Sequence, residues 1–117
     1  MQPHPGEDRF VELAGEAVEA LPAWVRETLD NVEIFVEEEP PPGSHLLGLY
    51  QGVPLSKRGT HYSGALPDRI TLFAGPITRL SRGSEDRLRA IVGHTVAHEI
   101  AHHFGISDER LLEIDAY

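Results

Sequence analysis

The feature that most constrains the fold of this 117-residue chain is a long apolar segment in its last third. Between residues 90 and 106 the only formally charged side chain is that of Glu99, and most of its neighbours are Ala, Val, Ile or Phe. This composition predicts a helix inside the core, begun by Ser84 as its N-cap and ended by Gly105 in a left-handed conformation. A carboxylate and four histidines are costly in such surroundings unless something binds them, so the segment suggests a metal site.

Two of these histidines have the spacing of metal ligands. His98 and His102 are four residues apart, so at about 100° per residue they lie one turn apart on the same helix face. Both imidazoles can then reach one zinc ion, at about 2.0–2.1 Å from each nitrogen. Glu99 stands next to the first ligand, where a general base can deprotonate a zinc-bound water. Gly105 permits a chain reversal that returns Asp108 to the ion as a third, oxygen ligand, which predicts an open site with one zinc per chain.

The motif resembles that of a known family. It reads His98-Glu99-x-x-His102-x-x-Gly105-x-x-Asp108, the pattern of Asp-zincin metallopeptidases. The segments 48–54 and 63–73 are similar to those of the small bacterial proteins called minimal zincins. The resemblance spans about residues 30–114 and implies a sheet packed on the active-site helix. It also implies zinc on the residues that match the two histidines and the aspartate, with Glu99 as the catalytic residue.

The other polar residues near this motif each allow two interpretations. Asp108 competes with Glu109 and Glu113 as the third ligand, or it is a first-turn acid of a last short helix. His94 precedes His98 by one turn and either lines the cleft or is a core histidine with a satisfied ring. His103 projects elsewhere and is interpreted as a packing or surface residue.

Two loop residues are further candidates for the site. His61 and Tyr62 lie in a stretch, residues 51–68, that is rich in Gly, Pro and Ser and predicts a long loop. Either side chain could line the cleft or stabilise an oxyanion. The alternative is that both are ordinary loop residues.

The remaining patterns predict a single α+β domain over residues 1–117, with residues 1–6 flexible. Helical periodicity and capping signals predict helices over 7–21 and 84–104 and a last short helix from Ser107. Pro22 predicts the end of the first helix or the start of a short second one, and Pro76 predicts a helical turn. Alternation and β-branched composition predict strands over 32–37, 46–50 and 69–74. We therefore expect a small mixed sheet of about three strands, packed on helices that include the one with the metal site.

Charge and composition exclude several classes of function. The chain is formally −9 at pH 7, with 19 acids against 10 bases, and it contains no cysteine. No cluster of Lys and Arg is available to bind phosphates, so a nucleic-acid partner is not expected. No apolar run approaches the length of a membrane span, and the polar, Pro-rich start is not typical of a signal peptide. The lack of cysteine excludes thiol catalysis and Cys-ligated zinc, and it fits a cytoplasmic protein.

The negative charge is concentrated in residues 1–39, which contain eleven acids and two bases. The simpler interpretation is a solvated helix face that aids solubility. The alternative is an acidic surface that recruits a basic partner.

Together these features predict a zinc-dependent hydrolase, a metallopeptidase whose substrate is a peptide or a small protein. The predicted edge of its cleft is the strand with Ile70, Thr71, Leu72 and Phe73, which would hold extended peptide by β-addition. The alternative function is a non-catalytic zinc domain that acts as a structural or partner-binding module.

Replacement of the predicted third ligand should weaken zinc binding. We expect Asp108→Ala to lower zinc affinity by about an order of magnitude or more, since loss of even an outer-shell partner costs about 10–100-fold. Glu113→Ala should leave the affinity within a few-fold, and metal titration of both variants against the wild type measures the difference. Zinc release by Glu113→Ala together with retention by Asp108→Ala would contradict the predicted ligand set.

Overall fold

A computed structural model describes residues 6–28, 32–52 and 68–105 of the chain. The elements in these ranges are, in chain order, α1 (Gly6–Glu19), α2 (Ala23–Thr28), β1 (Val32–Glu37), β2 (Gly48–Gln51), β3 (Asp68–Phe73), α3 (Ala74–Ser81) and α4 (Glu85–His103). The predicted α+β class is thereby confirmed. None of the helices in these ranges has the length and apolar content needed to cross a membrane.

The three described strands form one mixed sheet in the order β1-β3-β2. β3 is parallel to β1, with Ile34 opposite Ile70, and antiparallel to β2, with Tyr50 opposite Ile70. β2 precedes β3 in sequence but lies at the opposite edge from β1. The predicted small mixed sheet is therefore confirmed.

The prediction that the strand with Ile70, Thr71, Leu72 and Phe73 forms an edge is wrong. β3 is the central strand, so its backbone N–H and C=O groups pair with neighbours on both sides and cannot receive a peptide by β-addition. Its side chains explain this position: Ile70, Thr71, Leu72 and Phe73 are all buried. A nearly continuous apolar run is typical of a strand with both faces covered, whereas an edge strand tends to alternate or carry charge.

The core lies between this sheet and two helices, α1 and α4. Both helices pack against each other, α1 also contacts β1, and α4 contacts β2 and β3. Ile70 and Leu72 of β3 meet a cluster that comprises Phe10, Leu13 and Ala14 of α1 and Leu88, Val92, Val96 and Ile100 of α4. The helix that carries the predicted metal ligands is therefore fixed on the sheet by apolar burial along most of its length.

The two ends of α4 agree with the predicted signals. The Ser84 hydroxyl accepts a hydrogen bond from the backbone N–H of Arg87 at 3.2 Å, as an N-cap does. After the helix, Gly105 has a φ of +86°, in the left-handed region that a non-glycine residue rarely adopts.

A full helix, α3, stands where only a helical turn was predicted at Pro76. The residue before it, Phe73, makes no side-chain cap. Instead, the backbone N–H of Gly75 donates to the carbonyl of Glu38 at 2.8 Å, which satisfies one of the donors at the helix start. This approach requires glycine, since a Cβ at Gly75 would lie 2.7 Å from the same carbonyl oxygen. The contact joins distant parts of the chain, so local sequence could not predict it.

Three further predictions lie outside the described residues. They are the flexibility of residues 1–5, most of the loop over 51–68 and the last helix from Ser107. Residue 6, which was included in the flexible start, belongs to α1.

A buried polar network joins the end of α4 to the sheet. His103, whose side chain is fully buried, places Nδ1 2.7 Å from Oδ2 of Asp68, and Tyr50 donates its hydroxyl to the same oxygen at 2.7 Å. A carboxylate oxygen can only accept, so Nδ1 of His103 is the donor. Its Nε2 has no hydrogen-bond partner among the described residues. His103 is therefore a packing residue, one of the two interpretations that its sequence position allowed.

Removal of this histidine should destabilise the fold. We expect His103→Ala to lower the free energy of unfolding by about 2–4 kcal/mol, because it leaves a cavity and takes a partner from the buried Asp68. Arg89→Ala is the control, since its ion pair with Glu16 is about half exposed and should contribute no more than about 1 kcal/mol. Chemical denaturation measures both, and equal losses would contradict a structural role for the network.

Candidate metal centre

The buried face of α4 includes polar residues of the predicted site. The buried positions are Leu88, Val92, Thr95, Val96, Glu99, Ile100 and His103, at the three- and four-residue spacing of one helix face. Ala90, His94 and Ala97 are exposed on the other side. The prediction of a helix enclosed by the core is thus wrong for one face. Alanine is apolar and strongly helix-forming, but its small side chain is tolerated at the surface.

His98, Glu99 and His102 form a group that can hold a metal ion. One ligand atom from each residue can be chosen so that all lie within 4.8 Å of one another. The two imidazole rings have centroids 4.8 Å apart and planes inclined by 74°. Both histidines are half-buried, while Glu99 is only 6% exposed. The two converging imidazoles are donors that suit a metal ion such as zinc, with a buried carboxylate beside them, and the spacing argument correctly brought these side chains together.

Glu99 also contacts one of the predicted ligands. Its Oε1 lies 3.1 Å from Nδ1 of His102. With Nδ1–H as the donor, this hydrogen bond fixes the orientation of the His102 ring, so Nε2 is the nitrogen that would ligate a metal ion. The second oxygen of Glu99 is then left for another partner.

The burial of the Glu99 side chain depends on how closely β2 approaches α4. A Cβ placed on Gly48 would lie 2.7 Å from Cγ2 of Thr95 and 3.3 Å from Cγ of Glu99. Such distances are shorter than ordinary van der Waals contact. Glycine at the start of β2 therefore allows the strand to cover the carboxylate-bearing side of the helix.

A cleft of about 220 Å³ opens beside Glu99. The cleft is lined on one side by the segment before β2 and the first residue of that strand, which are His45, Leu46, Leu47 and Gly48, and on the other by His94, Thr95, His98 and Glu99 of α4. His94 is exposed, and its ring centroid is 6.3 Å from that of His98. Of the two interpretations of His94, the structure thus supports a cleft residue and contradicts a core histidine.

Sequence reasoning missed His45. It lies 53 positions before His98, and no spacing rule connects a residue after three prolines to a distant helix. Only the antiparallel pairing of β2 with β3 brings its segment to the cleft.

Several predicted site residues lie outside the described ranges. They are Asp108 and its competitors Glu109 and Glu113, together with the loop candidates His61 and Tyr62. Their roles stay predictions.

Comparisons with known proteins agree with this arrangement. The model of the family described as zincin-like metallopeptidase matches residues 29–117, which include the whole sheet and α4. The chain therefore belongs to the zincin-like metallopeptidase family. Its fold is similar to that of a conserved hypothetical protein from Thermo thermophilus, with 28% identity and a TM-score of 0.60 over 86% of this chain and 94% of that one. No curated protein is similar enough to this chain to count as a relative.

Two glycine substitutions test the close approach of β2 to α4. Gly48→Ala should lower the free energy of unfolding by about 1–3 kcal/mol, because the new methyl group overlaps Thr95 and presses on Glu99. Gly93→Ala is the matched control, since a Cβ there meets no atom within 4 Å. That change within α4 should stabilise the protein by about 0.5–1 kcal/mol. Thermal or chemical unfolding compares them, and stabilisation by Gly48→Ala would contradict the packing described.

Proposed function

We propose that this protein is a zinc-dependent hydrolase that cleaves peptide bonds. The observation that carries the proposal is the position of Glu99. Its carboxylate is almost fully buried, belongs to the group that can hold a metal ion and lines the adjoining cleft. A metal site with only a structural role does not require a carboxylate that contacts a metal-ligating histidine and also lines an open cleft. Membership of the zincin-like metallopeptidase family supports the same reaction class.

The metal would be held by imidazoles of α4. His98 and His102 offer the two nitrogens, and Asp108 is the proposed third ligand. A bound zinc ion polarises the substrate carbonyl and lowers the pKa of a water molecule, to about 7 in characterised enzymes.

Glu99 carries the proton in the proposed reaction. Because one carboxylate oxygen accepts a hydrogen bond from His102, the carboxylate is oriented, and its other oxygen accepts the proton of the attacking water. The same oxygen then delivers that proton to the amide nitrogen, which leaves as the amine. Proton removal and return thus both occur at one fixed atom.

The proposed substrate lies along β2. In the described sheet β2 has one neighbour, β3, so the other side of this strand is an edge. The cleft beside Glu99 is lined by the residues that lead into the same strand. An extended peptide or a loop of a small protein could add to this edge through its backbone and present an amide to the metal centre.

The acidic residues of the first third, residues 1–39, give little support for the alternative role of binding a basic partner. At least four of its acids form ion pairs with arginines of this chain, which are Arg9 with Glu12, Arg89 with Glu16, Arg69 with Glu37 and Arg79 with Glu39. The hydrogen bonds from Arg79 lower the pKa of Glu39, so this pair is present at neutral pH. Part of the negative charge is therefore already neutralised, which leaves less of it for a basic partner.

Glu99→Gln separates catalysis from metal binding. The amide oxygen of glutamine can still accept the hydrogen bond from His102, so zinc should remain at one ion per chain. It cannot take up a proton, so hydrolysis should fall by a factor of about 100 or more. Zinc is measured by elemental analysis, and fragments of mixed unstructured peptides by mass spectrometry, with and without chelator. His98→Ala is the comparison variant and should lose zinc and activity together.

Two results would contradict the assignment of Glu99. Loss of zinc from Glu99→Gln would make this residue a ligand, and undiminished turnover would remove it from the reaction. Absence of hydrolysis by the zinc-loaded wild type would favour the non-catalytic zinc domain.

A further inference from the structure

The wall of the cleft opposite α4 carries an exposed imidazole, that of His45. His45 is exposed and lines the cleft together with Glu99. Its ring makes no hydrogen bond, ion pair or ring contact within the structure described. The side chain is therefore available to a molecule in the cleft.

The backbone around His45 is nevertheless held firmly. On one side, the N–H of Ser44 donates to the carbonyl of Pro41 at 3.0 Å, and the hydroxyl of Ser44 accepts from the N–H of Leu46 at 3.2 Å. On the other side, the carbonyl of Leu47 accepts from the N–H of Phe73 in β3 at 2.9 Å. The bond to Phe73 joins the segment to the sheet and the other two order the turn around His45, so the imidazole is presented from a structured support, as a preorganised donor must be.

The other polar side chains that line the cleft either make hydrogen bonds within α4, belong to the metal-binding group, or lie on the same wall as that group. The hydroxyl of Thr95 donates to the carbonyl of Ile91 at 2.8 Å, within α4. His98 belongs to the group that can hold the metal, and Glu99 is an acceptor. His94 stands on the same helix as both. A substrate amide that lies over α4 can therefore receive a hydrogen bond from the opposite wall only through His45, among the lining side chains of the described residues.

We propose that His45 is a catalytic residue that donates a hydrogen bond to the carbonyl oxygen of the scissile amide as negative charge develops on it. This role rests on the proposed hydrolase function. No proton is transferred by His45: either form of the imidazole carries an N–H, so the donor is present whether the ring is neutral or charged. Such a donor acts most strongly in the transition state, where the oxygen carries its greatest charge.

The test compares His45→Ala with the zinc-loaded wild type. Because the ring is exposed and makes no hydrogen bond or ion pair with the described residues, the variant should keep its circular dichroism spectrum and its zinc. We expect kcat for peptide hydrolysis to fall by about 10- to 1,000-fold while KM changes by no more than a few-fold. His45→Gln retains an N–H donor and should recover part of the lost rate. Glu33→Ala, an exposed change in β1 at the opposite edge of the sheet, should leave the rate unaltered.

A second measurement distinguishes transition-state binding from ordinary substrate binding. A phosphonamidate peptide, which mimics the tetrahedral transition state, should bind His45→Ala at least about tenfold more weakly than it binds the wild type. The corresponding product peptide should bind both proteins equally. A higher KM with unchanged kcat, or equal loss of affinity for both peptides, would make His45 a substrate-binding residue and overturn the proposal.

The remaining outcomes separate this proposal from the function on which it rests. If the wild type hydrolyses peptides and His94→Ala loses kcat while His45→Ala does not, the role belongs to His94 and the proposal fails alone. If the zinc-loaded wild type hydrolyses nothing, both the proposed function and the role of His45 are overturned.

Discussion

The site depends on the close contact between β2 and α4 at Gly48. Since this residue lacks a Cβ, the strand can approach Thr95 and Glu99 closely enough to bury the carboxylate. The residues of this contact also line the cleft. A larger residue would separate the two walls, admit more water around Glu99 and weaken the electrostatic environment on which its proposed role as a proton acceptor relies. The packing of strand on helix and the chemistry of the site thus have one cause.

The other end of α4 is fixed by a different kind of interaction. Asp68 and Tyr50 hold the buried ring of His103 through polar contacts that join the central strand, its neighbour and the helix. This network stands directly beside His102, so the last turn of the helix, with one predicted ligand, cannot rotate without breaking it. A site built on rigid elements keeps its geometry to within the small tolerances that catalysis demands.

Local signals were sufficient where a structure is stabilised by its own segment. Ser84 and Gly105 mark the ends of α4 because capping is a matter of one or two turns, and the four-residue spacing places His98 beside His102 on any helix. Local signals failed where the structure of a segment depends on contacts with distant parts of the chain. The start of α3 is satisfied by the carbonyl of Glu38, and β3 becomes central only because β1 and β2 pair with its two sides.

By itself, the sequence determined the class of the fold, the helix that carries the site and the two imidazoles and the carboxylate that converge on it. These follow from periodicity, capping and the cost of burying polar groups, which all act over short distances along the chain. Only the tertiary structure decided which strand forms the edge, that His94 faces the cleft and that His45 joins it from the opposite wall. Strand order and the meeting of two walls arise from long-range pairing, where the interaction is between residues whose separation in sequence carries no regular pattern.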